Sequence, residues 1–357
     1  MFALDETQEV LIDYLSTTEQ IIIRCLNQYD KTSEVLLRPA LDIGFPHDVI
    51  RLAGGFATGM YAEWNCSILF VPVDTTVNVC SVSTYEMADE IELTQEFIDE
   101  IDSRLVNSVF SMNFHKGNHF ISFIKGEQSK KNYLLLHSSA VEFRGNFNGL
   151  YPVKDNWYYD RMKTFHSNGR YLRYLIGEDA VLFFNLSEAL KQFNKTRHDF
   201  FAHILTNGIA KISSNKTWHH YEMPNNSAVN IGSTLVDIGE TFPILTKLGS
   251  PIIFLKVNKL IESTFDIKGK LLVPHGWGKK SIARPTISFD FKKNVIKLNG
   301  TDYAIEYGTS LGKDKSFIIR DYEIDEYLAF LKKYYEFTVI EKYNQLLSYS
   351  KQGLIKW

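Results

Sequence analysis

Residues able to do chemistry concentrate in three short stretches of this chain. The first runs from Lys116 to Glu142. Two apolar segments, His119–Ile124 and Tyr133–Leu136, flank a polar turn at Gly126–Asn132. One segment opens with Gly117-Asn118-His119 and the other closes with His137-Ser138-Ser139. A buried strand rarely needs an imidazole at its edge and two hydroxyls just after it. Two such strands side by side bring His119 and His137 together, a metal-ligand pair once a thiolate or carboxylate joins them. The competing reading is two hydrogen-bonded core histidines at strand ends. The second stretch is Pro274-His275-Gly276-Trp277-Gly278-Lys279-Lys280. Glycines around a bulky residue let backbone amides approach an anion, and the lysines balance phosphate charge as point charges. His275 beside a phosphate can act as nucleophile, acid or ligand. The pattern is neither a Walker loop nor a dinucleotide fingerprint. The third is Cys80, in the alternating run Asp74–Val82, where its side chain points into core or into a site.

Holding such groups in place takes a large core. The chain has 357 residues, of which 45% are hydrophobic and 14% aromatic, so it folds as a globular protein. A net charge of −3 argues against coating nucleic acid by bulk charge but allows a local basic groove. No apolar run reaches the length of a membrane span, and MFALDETQEVL lacks a signal-peptide pattern; the expectation is a cytoplasmic protein without a membrane partner. Cys25, Cys66 and Cys80 form no CxxC pair, as in a reducing compartment, and Cys25 and Cys66 read as buried apolar residues. Periodicity predicts helices over 7–29, 90–106 and 186–205, and one or two more over 321–347. It predicts strands over 35–46 and 67–73, two strands within 242–257, one entering the basic loop within 271–284, and a hairpin over 289–305 turning at Asn299-Gly300. Residues 150–175 interleave Tyr and Trp with Arg and Lys. That suits base stacking and phosphate contact, or equally a surface helix with an aromatic underside. With no repeat or linker, the expectation is a single compact α+β domain over residues 1–357, central β-sheets flanked by helices, and a monomer.

Over most of its length, with the matching segments in the family's order, the chain resembles the RtcB-type RNA ligases. Lys116–Ser122, KGNHFIS, is similar to the family's G-N-H-F-[IL]-E segment, and Leu136–Val141, LHSSAV, to its H-x-G-S-R-G. Pro243–Ile252, PILTKLGSPI, is similar to I-P-G-S-M-G-S, Pro274–Lys279 to P-H-G-A-G-R, and Gly353–Lys356 to the terminal G-[VI]-I-K-G. Val77–Val82 sits where the family has D-I-x-C-G-[VM], and Leu37–Pro46 where it has M-P-D-x-H-x-G-x-G. The resemblance implies an RNA-repair or tRNA-processing ligase that joins an RNA 3′-phosphate or 2′,3′-cyclic phosphate to a 5′-hydroxyl. A histidine is guanylylated by GTP, the GMP moves to the RNA 3′-phosphate, and the 5′-hydroxyl displaces it. Carried onto this chain, His275 is the guanylylated residue. Cys80 bridges two divalent metals, manganese by resemblance, with His119 and His137 one on each. Asn118, Gly276, Gly278, Lys279, Lys247 and Lys356 are the expected nucleotide contacts. An accessory protein is a further expected partner.

The departures from the family pattern have a direction. The aspartate before the cysteine is Val77, with Asn78 or Asp74 as the nearest replacements; the glutamate of the first motif is Ser122. Ser139 and Val141 replace a glycine and an arginine, leaving Arg144 as the nearest guanidinium. H-N-x-A-K reads Thr206-Asn207-Gly208-Ile209-Ala210-Lys211, so His203 is the expected third metal histidine. H-R-K-G-A reads His220-Tyr221-Glu222-Met223-Pro224, and Lys247 replaces a serine. His219 and His220 are a strand-end pair near the site or else exposed, while His47, His115 and His166 read as surface residues. Losing a hard carboxylate while keeping thiolate and imidazole favours a softer tetrahedral metal, zinc or cobalt, over manganese. Losing cations weakens GTP. One occupied metal site is therefore expected. Two other functions fit the same residues: a catalytically impaired relative that binds RNA ends or a protein partner, and a metal-dependent RNA phosphate or cyclic-phosphate hydrolase.

Overall fold

Eight strands make the largest sheet, a curled half-barrel. Its order runs Thr241–Ile244, Ile252–Leu260, Tyr335–Ser350, Phe120–Gly126, Asn132–Ser138, Ser81–Met87 and Ile212–His219, every neighbour antiparallel. Gly353–Lys356 folds back on Tyr335–Ser350 as the eighth. The computed structural model describes residues 3–107, 114, 117–140, 143, 150–276, 278–311, 314–320 and 323–357. The expectations for His115, Lys116, Val141, Glu142, Arg144, Trp277 and the start of 321–347 lie outside the described residues. Among the described residues, strands make up 41%, alongside five α-helices, so the α+β expectation holds at that level.

The helix Glu6–Leu26 starts where the Asp5 carboxylate accepts the Gln8 N–H, and it buries Leu11, Leu15, Ile21, Ile22 and Leu26. It lies along Glu34–Gly44, the edge of a second sheet ordered Glu34–Gly44, Thr58–Asn65, Ala228–Ile231, Tyr221–Asn225. A third sheet carries Ser233–Asp237, Lys270–Pro274 and Asp266–Ile267. The long helix Glu178–Thr206 packs Phe201, Ala202 and Leu205 against Tyr85, Ile121, Leu134 and Leu136 of the half-barrel.

The two strands expected around Gly126–Asn132 pair as a hairpin, Phe120 opposite His137. The turn at Asn299-Gly300 has both residues at positive φ (52° and 82°), as an Asn-Gly turn requires. Four expectations are corrected. Residues 321–347 are not helical beyond Ile324–Leu331; the rest is the sixteen-residue strand Tyr335–Ser350. Its Tyr, Phe, Thr, Val and Ile side chains suit a sheet; Ile252–Leu260 pairs with its first half and Phe120–Gly126 with its second. Cys80 is not within a strand. Residues 73–75 form a 3-10 turn, Thr76 and Val79 are left-handed (φ 45° and 52°), and the strand begins at Ser81. Residues 150–175 hold a hairpin, Lys163–Ser167 with Arg170–Ile176, and Tyr151, Tyr158, Tyr171 and Tyr174 are buried in the protein rather than offered to bases. The helix expected over 90–106 begins only at Gln95.

Candidate metal centre

Register brings the ligands to one end of the half-barrel. Ser81 pairs with both Ser138 and His219, and Phe120 with His137. Cys80, His119, His137 and His220 therefore sit at neighbouring strand ends. His220 is the single residue between Ile212–His219 and Tyr221–Asn225, where the chain leaves the half-barrel for the second sheet. Its N–H and that of Tyr221 both donate to Cys80 O, at 3.1 and 3.3 Å.

Cys80, His137 and His220 are all buried, and one donor atom from each lies within 4.8 Å of the other two. Cys80 Sγ is 3.3 Å from His137 Nε2, which is 3.2 Å from His220 Nε2. A tetrahedral ion with bonds of ~2.0–2.1 Å to nitrogen and ~2.3 Å to sulfur spaces its ligands about 3.3 Å (N to N) and about 3.6 Å (S to N). The residues fit such an ion. His137 donates Nδ1–H to Asn118 O at 3.1 Å, which leaves Nε2 as the lone-pair nitrogen facing the sulfur. Burial first, and neighbouring imidazoles second, hold His137 and His220 well below the ordinary histidine pKa; both are neutral at pH 7, the form that could bind a metal. His119 stands beside this triad, its Nε2 3.7 Å from the same sulfur and its ring perpendicular to that of His137.

His275 leaves the end of Lys270–Pro274 and stacks on His220, ring centres 4.9 Å apart. Asp42, fully buried on Glu34–Gly44, accepts three hydrogen bonds through Oδ2: His275 N–H (3.0 Å), His275 Nδ1–H (2.9 Å) and Gly276 N–H (3.1 Å). The carboxylate fixes the tautomer and leaves Nε2 with the lone pair. Gly276 sits at φ +106°, and a Cβ there would lie 2.0 Å from Leu245 O. A narrow cleft of about 20 Å³ opens beside Gly276, lined also by Leu245, Thr246, Lys247, Ser250 and Tyr327. Gln345 Nε2 anchors the Lys247–Ser250 turn through both terminal carbonyls.

Behind the ligands, the long helix turns a polar face to the strand ends. Asn194 Nδ2 donates to Val79 O, Ser81 Oγ and Ser138 O at 2.8–3.1 Å. His198 bridges Ser83 Oγ and Ser138 Oγ, and Arg197 donates to Ser139 O. These contacts fix the segments that carry Cys80 and His137.

Of the residues expected from sequence, Cys80, His119, His137 and His275 come together. Gly276 and Gly278 are buried in the His275 loop, and Lys247 is exposed on the cleft wall. Asn118 contributes its carbonyl rather than its side chain. Lys279 is half-buried; burial pulls its pKa down, against Asp48. Lys356 directs Nζ to Leu93 O. His203 is exposed on the long helix and is not in the triad. Neither substitute aspartate position joins the ligands: Asp74 is buried against Arg173, and Asn78 Oδ1 accepts the Cys80 N–H. His220 takes the place expected of His203. Of the two readings for His220, near the site or exposed, the first is the one found, while Asp42 is a participant that sequence reasoning did not single out. Its signal is its position within Leu37–Pro46, the segment matched to M-P-D-x-H-x-G-x-G. No protein-family model matches the chain, and no curated protein matches it.

Proposed function

We propose that this chain is a divergent RtcB-like RNA ligase that joins RNA 3′-phosphate or 2′,3′-cyclic phosphate ends to 5′-hydroxyl ends through a histidine–GMP intermediate. The observation that carries this reading is His275, held through Nδ1 by buried Asp42 and stacked on His220 of a Cys80–His137–His220 triad. Nε2 of His275 forms a bond to the α-phosphorus of GTP as the bond to the pyrophosphate leaving group breaks. The GMP then passes to the RNA 3′-phosphate oxygen, and attack by the 5′-hydroxyl releases it. Asp42 keeps the proton on Nδ1 and offsets the positive charge that grows on the ring as Nε2 bonds to phosphorus. A divalent ion held by Cys80, His137 and His220, with His119 beside the thiolate, would supply Lewis acidity towards phosphoryl oxygens. One thiolate and two imidazoles favour zinc or cobalt over manganese. Lys247, exposed on the wall of the cleft beside Gly276, would supply a cation to the nucleotide phosphates.

A second reading, hydrolysis of a cyclic phosphate without GTP, is favoured by the lysines. Lys356 is engaged with Leu93 and Lys279 is half-buried, which leaves few cations for a triphosphate. End-labelled RNA bearing a 2′,3′-cyclic phosphate, incubated with a 5′-hydroxyl RNA, metal-loaded protein and GTP, separates the two. Joined product that requires GTP supports ligation. Opened, unjoined product with or without GTP would replace it with hydrolysis.

A further inference from the structure

We infer that Arg51 is a positioning residue of this centre. Its guanidinium ties the turn that delivers Cys80 to the ring that follows His220, so that both ligands reach one point. The inference rests on the metal reading above. Arg51 lies in the short helix Val49–Ala53 and is 2% exposed. Its Nε donates to Thr75 O (3.0 Å) and Thr76 Oγ1 (2.8 Å), and its Nη2 donates to Thr76 O (2.9 Å). On the other side its Cζ lies 4.9 Å from the centre of the Tyr221 ring. Thr58 Oγ1 closes the arrangement, 3.4 Å from Arg51 Nη1 and 3.3 Å from the Tyr221 hydroxyl.

The two structures joined in this way are the ones that need support. Thr76 and Val79 are non-glycine residues in the left-handed region, and both are β-branched, so the chain from Thr76 to Cys80 is strained by its own backbone. Something outside the turn has to hold it, and Arg51 binds it at three points. Tyr221 is the residue after His220, and its ring edge also faces His275, with centres 6.5 Å apart. Among the described residues, the partners of Arg51 are neutral oxygens and a π face, with no carboxylate. Burying a cation on such terms is costly, and an apolar side chain would fill the space more cheaply. What an apolar side chain lacks is a flat fork that can bind a turn along one edge while stacking on a ring. Lysine lacks it as well.

Arg51→Lys is the test, read by cobalt titration. The wild type should show a thiolate-to-cobalt charge-transfer band with tetrahedral d–d absorption. Arg51→Lys should fold, as judged by circular dichroism, yet bind cobalt at least tenfold more weakly with an altered d–d band. Tyr221→Phe, which keeps the ring, should stay within twofold of wild type. If Arg51→Lys does not fold, Thr76→Val removes one acceptor of the fork at constant shape and should lower affinity at least threefold. Wild-type affinity and spectrum in the folded Arg51 variant, or in Thr76→Val, would overturn the inference. If wild-type protein itself shows no thiolate band, the metal reading fails, and Arg51 is judged on metal-free protein by carbon chemical shifts of Cys80 Cβ and the His220 ring. Joint displacement in the variant supports the positioning role, and unchanged shifts refute it.

Discussion

Asp42 decides which nitrogen of His275 is available. An asparagine there keeps the shape but can turn its amide towards Nδ1, which frees the wrong nitrogen. Asp42→Asn should therefore slow transfer to His275 by roughly 10²–10⁴, the order seen when a buried aspartate behind a catalytic histidine is neutralised. Metal content should be unchanged, since Asp42 is not a ligand; equal loss of metal and transfer would mean that it holds the centre instead. His203→Ala should leave metal binding as it is, whereas His220→Ala should abolish tight binding, and metal analysis of the two purified variants distinguishes them. Part of this site could be read from the chain alone. His119 and His137 belong to one hairpin, so local pairing brings them together. The places of His220 and Asp42 could not be fixed in the same way, because the half-barrel and the second sheet deliver them and the relevant contacts, such as His220 N to Cys80 O, span more than a hundred residues.

The His275 loop depends on a backbone approach that only glycine permits. Gly276→Ala would set a methyl group against Leu245 O at a φ that L-residues avoid. The expected cost is about 1–3 kcal/mol, with loss of transfer activity; urea denaturation and the labelling assay measure each. Unchanged stability would mean that the loop has another conformation within reach. Element by element, hydrophobic period identified most helices and hairpins, including the amphipathic first helix and the Asn299-Gly300 turn. It misjudged Tyr335–Ser350, whose mixed polar and apolar residues also fit a helix. What decides that segment is non-local: Ile252–Leu260 on one edge and Phe120–Gly126 on the other. Leu347, fully buried in this strand, should cost about 2–5 kcal/mol when truncated to alanine, a loss that a surface helix would not show.

Across the whole molecule, buried histidines make the metal-free fold acid-sensitive. Burial, assisted by Lys191 and Lys195, pushes His219 down to about 4, and burial next to Arg197 holds His198 well below the usual value. The unfolded chain takes up protons near 6.5 while the folded chain resists, so stability is full above that pH and falls as pH drops from about 6.5 towards 4. Between pH 7 and 5, His219 alone should remove about 1–2 kcal/mol. Urea midpoints of metal-free protein at the two pH values test this, and equal midpoints would contradict it. The fold gathers one thiolate, three imidazoles and an aspartate-held histidine where its three main sheets end, and the central claim is that His275 is the nucleophile there. The most direct measurement is incubation of zinc-, cobalt- or manganese-loaded protein with α-labelled GTP, and separately with the other nucleotides, followed by denaturing electrophoresis of wild type and His275→Ala. A covalent label on the wild type, absent from the variant, is the predicted result. A label that survives in His275→Ala, or no label with any metal and nucleotide, would contradict it.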